Sequence, residues 1–168
     1  MPEGPAVPAG SGGLDQHHVS WLDVERLVGR LLRRLPRDYD SLLVITRGGM
    51  VPACLISERA DIRNILCAAV TLYDGQAQTR PAPLFVQFPE ERQVEGQRIL
   101  VVDDVWDSGS TAVAVRDRLR KAGARVEVCV LHYKPGQSRF PGDGPDFYAE
   151  ETDAWVVYPW DPAHPLAP

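Results

Sequence analysis

The sequence lacks the features of secreted, membrane-embedded and nucleic-acid-coating proteins. Its three cysteines, Cys54, Cys67 and Cys129, lie far apart in apolar stretches and show neither a disulfide pattern nor metal-ligand spacing. No signal peptide is evident, and no apolar run is long enough to span a bilayer. The 18 basic residues are outnumbered by 23 acidic ones, for a formal net charge of −5. We therefore expect a reduced, cytoplasmic protein with no nucleic-acid partner and no integral membrane association.

The composition indicates one folded domain with two short tails. The chain has 168 residues, of which 44% are hydrophobic and 24% charged, enough to bury a sizeable core. Residues 1–18 are rich in proline and glycine and are predicted to be a disordered tail, with His17 and His18 as a solvated pair. Residues 19–161 are predicted to form the domain, and residues 162–168 a C-terminal tail.

Hydrophobic periodicity predicts an α/β fold. Ser20 is a candidate N-cap, with Asp23 at the capping-box position, for a helix that Pro36 closes. Further helices are predicted at 50–60 and 110–122, and strands at 41–46, 64–72, 99–102 and 126–131. This alternation favours a parallel sheet with helices on both faces. Residues 73–97 show no regular pattern.

The run ILVVDDVWDSGSTA at residues 99–112 is the most informative part of the chain. A buried strand ends at Asp103 and Asp104, and a small-residue loop then opens a helix. Backbone N–H groups of Ser108 to Thr111 can point at a phosphate, whose charge the helix dipole favours. The two acids suit sugar hydroxyls or a hydrated divalent cation. Phosphoribosyl pyrophosphate (PRPP) combines all three groups. A strand followed by a solvated acidic loop is the alternative, but such short loops seldom need three carboxylates for structure.

A second loop, TRGGMVP at residues 46–52, follows the predicted strand 41–46. Gly48 and Gly49 let the backbone approach a ligand closely, and Arg47 adds a cation suited to phosphate oxygens. Taken alone, this loop is better explained as a tight turn with a surface arginine, but together with the first loop it favours a binding loop. Because ligands of open α/β sheets lie outside the carboxyl ends of the strands, both loops can face one pocket.

These two loops resemble the PRPP and pyrophosphate loops of type I phosphoribosyltransferases. Segments 73–74, 132–135 and 153–161 extend the resemblance over residues 19–161, most closely to the bacterial xanthine-guanine subfamily. The resemblance implies a central, mostly parallel sheet flanked by helices, with a small C-terminal hood. It also implies a flexible lid, here residues 74–95, from which Arg80 could reach pyrophosphate. Mg²⁺ is the implied cofactor, PRPP and a purine base or nucleotide are the implied ligands, and a homodimer or homotetramer is the implied assembly.

The resemblance also implies a role for each matching residue. It assigns the 5′-phosphate to Asp107, Ser108, Gly109, Ser110 and Thr111, and pyrophosphate to Arg47, Gly48 and Gly49. The ribose and magnesium are assigned to Asp103 and Asp104, with Asp104 as the metal ligand. The purine is assigned to Lys134, Trp155 and Val156. Asp107 is the implied catalytic residue, which manages the purine proton. The peptide between Arg47 and Gly48 is expected to be cis.

Two functions are compatible with these residues. The first is purine salvage, in which 5-phosphoribose passes from PRPP to guanine, xanthine or hypoxanthine, and the nucleoside monophosphate and pyrophosphate are released. The second is a PRPP-sensing regulator of the same fold. Lys134 can donate to a 6-oxo group but cannot accept from an amino group, which favours 6-oxopurines. As alternatives, Lys134 is a surface residue before Pro135 and Trp155 a hydrophobic plug. The acidic chain, Lys134 and Trp155 together favour the enzyme.

Overall fold

A six-stranded sheet forms the centre of the structure, a computed structural model that describes residues 15–73 and 82–162. The elements are β1 (Gln16–His18), α1 (Trp21–Leu32), β2 (Ser41–Thr46), α2 (Met50–Ala60), β3 (Ile65–Tyr73), β4 (Ala82–Gln87), a 3₁₀ turn (Glu91–Gln93), β5 (Arg98–Trp106), α3 (Ser110–Lys121), β6 (Arg125–Tyr133), β7 (Phe147–Glu151) and β8 (Trp155–Val157). The sheet order is β4-β3-β2-β5-β6-β7. β4 runs antiparallel to β3, and the other pairs of this sheet are parallel. The central strands β2 and β5 therefore end at the same edge.

The sheet is buried on both faces by helices, as its strand sequences require. Successive strand residues point to opposite faces, so Leu42 and Val44 pack with α1 and α2, while Leu43 and Ile45 pack with α3. The predicted α/β architecture with a mostly parallel sheet is confirmed. None of the helices in the described ranges is long and apolar enough to cross a membrane.

Local signals in the sequence place several elements correctly. Ser20 caps α1 through a capping box, in which its side chain accepts from the Asp23 N–H and the Asp23 carboxylate accepts from the Ser20 N–H. β2 and α2 have the predicted bounds. β5 and β6 run several residues beyond the apolar runs that predict them, because the ladder between them continues to the pair Trp106 and Tyr133.

Two segments differ from the predictions. Gln16–His18 forms β1, which pairs in parallel with β8, so a strand replaces the last residues of the predicted disordered tail. Ala82–Gln87 forms β4 on the edge of the sheet, and Glu91–Gln93 a 3₁₀ turn, so this half of the predicted lid is regular structure. The apolar side chains of 84–86 favour strand pairing despite the flanking prolines. Arg80, with the rest of 74–81, lies outside the described residues, as do 1–14 and 163–168.

An ion pair fastens α3 to the segment that follows β6. The Arg116 guanidinium, only 7% exposed, donates to both carboxylate oxygens of Asp143, at 2.7 and 2.5 Å. In the same segment, the Arg139 N–H donates to the Ser108 carbonyl at 3.0 Å. The segment therefore holds the helix and the loop that precedes it, which carries the candidate phosphate-binding residues.

Replacing Asp143 by asparagine tests this pair. We expect Asp143→Asn to lower the free energy of unfolding by about 1–2 kcal/mol, because a buried guanidinium loses its charged partner while solvent at the exposed side screens part of the effect. Urea unfolding at neutral pH measures the change. Asp117→Asn is the matched control, since Asp117 contacts the same guanidinium at 3.5 Å but is 62% exposed.

The stability that the Arg116–Asp143 pair contributes depends on pH in a defined direction. The hydrogen bond from Arg116 lowers the pKa of Asp143 below its ordinary 3.8. The contribution of the pair is therefore complete at neutral pH and is lost as the pH falls through the lowered pKa. The difference between wild type and Asp143→Asn should shrink in that acid range. Equal losses in Asp143→Asn and Asp117→Asn would contradict the role given to Asp143.

Candidate active site

The loop after β2 lies directly against the end of β5 because two glycines leave room for it. A Cβ atom on Gly48 would lie 2.5 Å from both carboxylate oxygens of Asp104. A Cβ atom on Gly49 would lie 2.8 Å from the Ile45 carbonyl oxygen and still closer to that of Val102. No side chain fits at such distances, so the glycines are required by the contact between this loop and β5. The loop after β2 therefore lies beside the acidic end of β5.

The loop also contains a cis peptide bond, which joins Thr46 to Arg47. The expectation of a cis bond between Arg47 and Gly48 was therefore wrong by one residue. That expectation counts the loop from Arg47, whereas the turn out of β2 starts at Thr46, the last residue of the strand.

An open cleft of about 540 Å³ lies between the glycine loop that follows β2 and the acidic end of β5. It is lined by Arg47, Gly48, Met50, Val51, Asp104, Trp160, Asp161 and Pro162. The guanidinium-bearing loop and the acidic end of β5 therefore face the same space. This cleft can receive a ligand that carries both anionic groups and hydroxyls.

The acidic pair is half-buried at the end of β5. Burial, followed by the neighbouring Asp104 charge, raises the pKa of Asp103 well above its ordinary value. Burial also raises the pKa of Asp104, although a hydrogen bond from the Trp160 indole, at 3.4 Å, opposes the shift. Two crowded carboxylates gain stability from a cation or from hydroxyl donors. Their oxygen ligands also suit Mg²⁺, so the pair fits the implied metal.

A buried hydrogen-bond chain connects Asp104 to the C-terminal hood, which consists of β8 and the residues after it up to 162. The Tyr158 hydroxyl donates to the Asp104 carbonyl at 2.9 Å and lies 2.8 Å from His132 Nδ1. Trp160 stacks on Tyr158, with ring centroids 4.7 Å apart. Sequence reasoning did not identify these hydrogen bonds. The available signal was the pair itself, because buried tyrosine and tryptophan usually find polar partners.

The small-residue loop between β5 and α3, residues 107–109, packs on the Trp106 side chain. Gly109 has a φ of 79°, and a Cβ atom there would overlap the Trp106 indole. Trp106 is 1% exposed, and its Nε1 donates to the Ser138 hydroxyl at 3.2 Å, so it forms the floor of the loop. The Ser110 N–H donates to the Ser108 hydroxyl at 3.3 Å. α3 starts at Ser110, and the first turn of a helix has N–H groups without intrahelical partners.

Three of the predicted catalytic and purine-site residues come together at the carboxyl end of β6. Lys134 is 6% exposed, and its Nζ lies 3.8 Å from Asp107 Oδ2 and 5.5 Å from the centre of the Trp155 ring. Trp155 is 49% exposed, so one face of its ring is open. A buried ammonium thus lies between a carboxylate and an open aromatic face.

The pairing of β1 with β8 orients the backbone of Val156. The Trp155 N–H donates to the Asp15 carbonyl, and the Val19 N–H donates to the Val157 carbonyl. Because backbone groups alternate in direction along a strand, those of Val156 point away from β1. Its carbonyl is therefore not used by this ladder.

A parallel sheet with an acidic pair and a glycine loop at one sheet edge is typical of enzymes that act on phosphorylated sugars. Residues 11–165 match the phosphoribosyl transferase domain family, and the chain belongs to that family. It is an enzyme of the pentosyltransferase class with the type I phosphoribosyltransferase fold. The resemblance on which the sequence analysis rests is confirmed.

The chain is similar to several characterised relatives over most of its length. It is 35% identical over 146 residues to xanthine-guanine phosphoribosyltransferase of Idiomarina loihiensis, covering 85% of each chain. It is 35% identical over 155 residues to the protein of the same name from Gluconobacter oxydans, covering 89% of this chain and 87% of that one. The structure of purine phosphoribosyltransferase from Pyrococcus horikoshii superposes on this chain with a TM-score of 0.77 and 28% sequence identity. The superposition covers 92% of this chain and 99% of the other.

Replacing Gly49 by alanine tests the close approach of the two loops. We expect Gly49→Ala to lower the free energy of unfolding by about 2 kcal/mol or more, because the new methyl group meets backbone carbonyls that cannot rotate away. Thermal unfolding followed by circular dichroism measures the effect. Gly29→Ala is the control. Its Cβ would lie 3.7 Å from the nearest heavy atom, Arg33 Nη1, and alanine favours a helix interior by roughly 0.5–1 kcal/mol. A Gly49→Ala protein as stable as Gly29→Ala would refute the argument.

Proposed function

We propose that the protein is a purine salvage phosphoribosyltransferase. It transfers 5-phosphoribose from PRPP to guanine, xanthine or hypoxanthine and releases pyrophosphate. The observation that carries this proposal is the position of Lys134 Nζ, 3.8 Å from Asp107 Oδ2 and 5.5 Å from the Trp155 ring. The names of the two relatives at 35% identity support the same substrate class.

Three groups select the base: the Lys134 ammonium, the face of the Trp155 ring and the Val156 carbonyl. The open face of Trp155 stacks on the purine, whose size and polarizability match an indole. Lys134 donates to the oxygen at C6 and has no lone pair for a 6-amino group, so adenine leaves the ammonium unsatisfied. The Val156 carbonyl meets the 2-substituent. Together these contacts favour 6-oxopurines as a class.

The sugar phosphate binds across the two loops. The 5′-phosphate lies at residues 107–111 and the start of α3, where the backbone N–H groups and the helix dipole stabilise its charge. Asp103 and Asp104 accept hydrogen bonds from the ribose hydroxyls, which relieves the crowding of the two carboxylates. Arg47 and the amides of the glycine loop bind pyrophosphate. The 5′-phosphate and the pyrophosphate leaving group are thus held on opposite sides of the ribose contact.

Transfer is favoured by stabilising the charge that develops as the glycosidic bond to pyrophosphate breaks. Negative charge accumulates on pyrophosphate, next to Arg47 and the loop amides. Magnesium, held near Asp104 and Asp103, supplies additional positive charge to the pyrophosphate oxygens when bound. Asp107 accepts the proton that the attacking purine nitrogen loses, a role that its distance of 3.8 Å from Lys134 Nζ supports. Sugar phosphate and base are therefore brought together by residues at the ends of β2, β5 and β6, together with β8.

A panel of bases tests the function directly. The protein is incubated with Mg²⁺, PRPP and one of guanine, xanthine, hypoxanthine, adenine or uracil, and pyrophosphate release is followed. We expect turnover with at least one 6-oxopurine and at least about 100-fold lower kcat/KM with adenine, because the lysine donor is then left unpaired. A reaction without base measures hydrolysis. PRPP binding without transfer to any oxopurine would favour a PRPP sensor instead.

The assignment of Lys134 is tested by a variant of similar length without the charge. We expect Lys134→Met to lower kcat/KM for the preferred oxopurine by about 10- to 100-fold, which corresponds to one hydrogen bond from a charged group. The Kd of PRPP should change by less than about threefold, since the contact is to the base. Lys121→Met, at an exposed position near the end of α3, is the control. An equal loss of PRPP affinity would instead indicate a structural role for Lys134.

A further inference from the structure

A second cluster of metal-ligating side chains lies in a pocket that shares no lining residue with the substrate cleft. His17 of β1, His132 of β6 and Glu150 of β7 each offer one ligand atom, and these atoms lie within 4.8 Å of one another. The pocket has a volume of about 210 Å³ and is also lined by Val19, Asp23, Arg26, Leu27 and Arg30. It has room for an ion and water molecules, and three separate strands contribute to it.

The protonation of His132 follows from its hydrogen-bond partner. The Tyr158 hydroxyl has one proton, which it donates to the Asp104 carbonyl. It can therefore only accept from His132, so the proton of the imidazole is on Nδ1. Nε2 then carries a lone pair. A histidine that ligates a metal through one nitrogen usually donates the other N–H in this way.

Among the described residues, the lone pair of His132 Nε2 has no hydrogen-bond partner. His132 is 0% exposed, and its Nε2 is buried. Unpartnered buried polar atoms are rare, because they lose their contacts with water and gain nothing in return. His132 lines the pocket beside His17, and the two ring centroids lie 5.6 Å apart.

The imidazole also remains neutral under ordinary conditions. Burial, followed by the nearby His17, lowers the pKa of His132 to about 4. At neutral pH the ring therefore has no second proton for a metal to displace.

We propose that His17, His132 and Glu150 bind a transition-metal cation of the zinc type, at a site separate from the magnesium and substrate cleft. Two imidazole nitrogens and one carboxylate oxygen form a ligand set that zinc accepts, with water completing the coordination. In a tetrahedral site with bonds of about 2.1 Å, ligand atoms lie roughly 3.4 Å apart. His17 and Glu150 are partly exposed and can move inward by the required distance of about 1 Å, while His132 stays fixed.

The charges around the pocket limit the affinity. Arg30 Nη1 lies 3.0 Å from Glu150 Oε2, so one carboxylate oxygen is already paired and the other is left for the metal. Arg26 pairs with Asp23 at 3.4 Å. Both arginines repel a divalent cation. Removing the charge of Arg30 should therefore strengthen metal binding, which a purely structural role for the histidines does not predict.

A bound metal would connect the N-terminal strand to the hood. His17 pairs with Val156 across the two-stranded ladder, and His132 reaches Asp104 through Tyr158. The ion would hold β1 against β6 and β7 and thereby fix β8, which carries Trp155 and Val156. This site does not depend on the proposed reaction, and its test does not use activity.

The test uses the full chain with zinc chloride as the probe, in excess Mg²⁺ to occupy oxygen-ligand sites. Equilibrium dialysis with elemental analysis gives stoichiometry and Kd, and Co²⁺ absorption reports the coordination geometry. We expect about one zinc per chain. His17→Gln and Glu150→Gln should each weaken zinc binding at least about tenfold. Tyr158→Phe, which removes the hydroxyl that accepts from His132 Nδ1, should weaken it by about 10- to 100-fold. Arg30→Gln should tighten binding.

His18→Gln is the matched control, because His18 is the neighbouring histidine on the same strand but does not belong to the cluster. It should leave the Kd within about twofold of wild type, and circular dichroism checks that every variant is folded. Absence of zinc binding in the wild type would overturn the proposal. So would full affinity in His17→Gln, or an equal loss in His18→Gln, since either result shows adventitious binding elsewhere.

Discussion

The site depends on the contact between the glycine loop and the end of β5. Val44 of β2 lies opposite Val102 of β5, so the residues that follow each strand leave the sheet side by side. A side chain at position 48 or 49 would meet Asp104 or the strand backbone and push the loop away. Glycine at both positions therefore brings Arg47 and the acidic pair into one cleft, where opposite charges can hold different parts of one ligand.

The acidic pair illustrates how a functional site is maintained at a cost to the protein. Burial raises the pKa of both carboxyl groups, so the pair is held in an environment unfavourable to its charge. Tyr158 and Trp160 oppose that cost with hydrogen bonds to the backbone and side chain of Asp104. A cation or hydroxyl donors would relieve it further. In the proposed function, the hood thus supports the residues assigned to the sugar phosphate as well as those assigned to the base.

The core of the fold was predictable because it depends on local patterns. Continuous apolar runs mark the central strands, the capping box marks α1, and the acidic run marks the end of β5. The rest depends on long-range pairing. β1 is three residues long and carries two histidines, so it has no apolar pattern until β8 supplies its partner. The bond from Tyr158 to Asp104 joins residues 54 positions apart. The position of the cis bond is set by where β2 ends, which composition does not specify.

Tyr158 connects the parts of the molecule that the sequence presents separately. Its single proton is committed to the Asp104 carbonyl, and this commitment decides the tautomer of His132 on its other side. One hydroxyl thus couples the substrate cleft to the histidine pocket without either pocket sharing a residue with the other. β1 supplies His17 and also pairs with β8, which carries Trp155 and Val156, so the N-terminal segment supports the strand assigned to the base in the proposed function. Under that proposal, a change at β1 is expected to affect base recognition through β8, although β1 does not line the cleft.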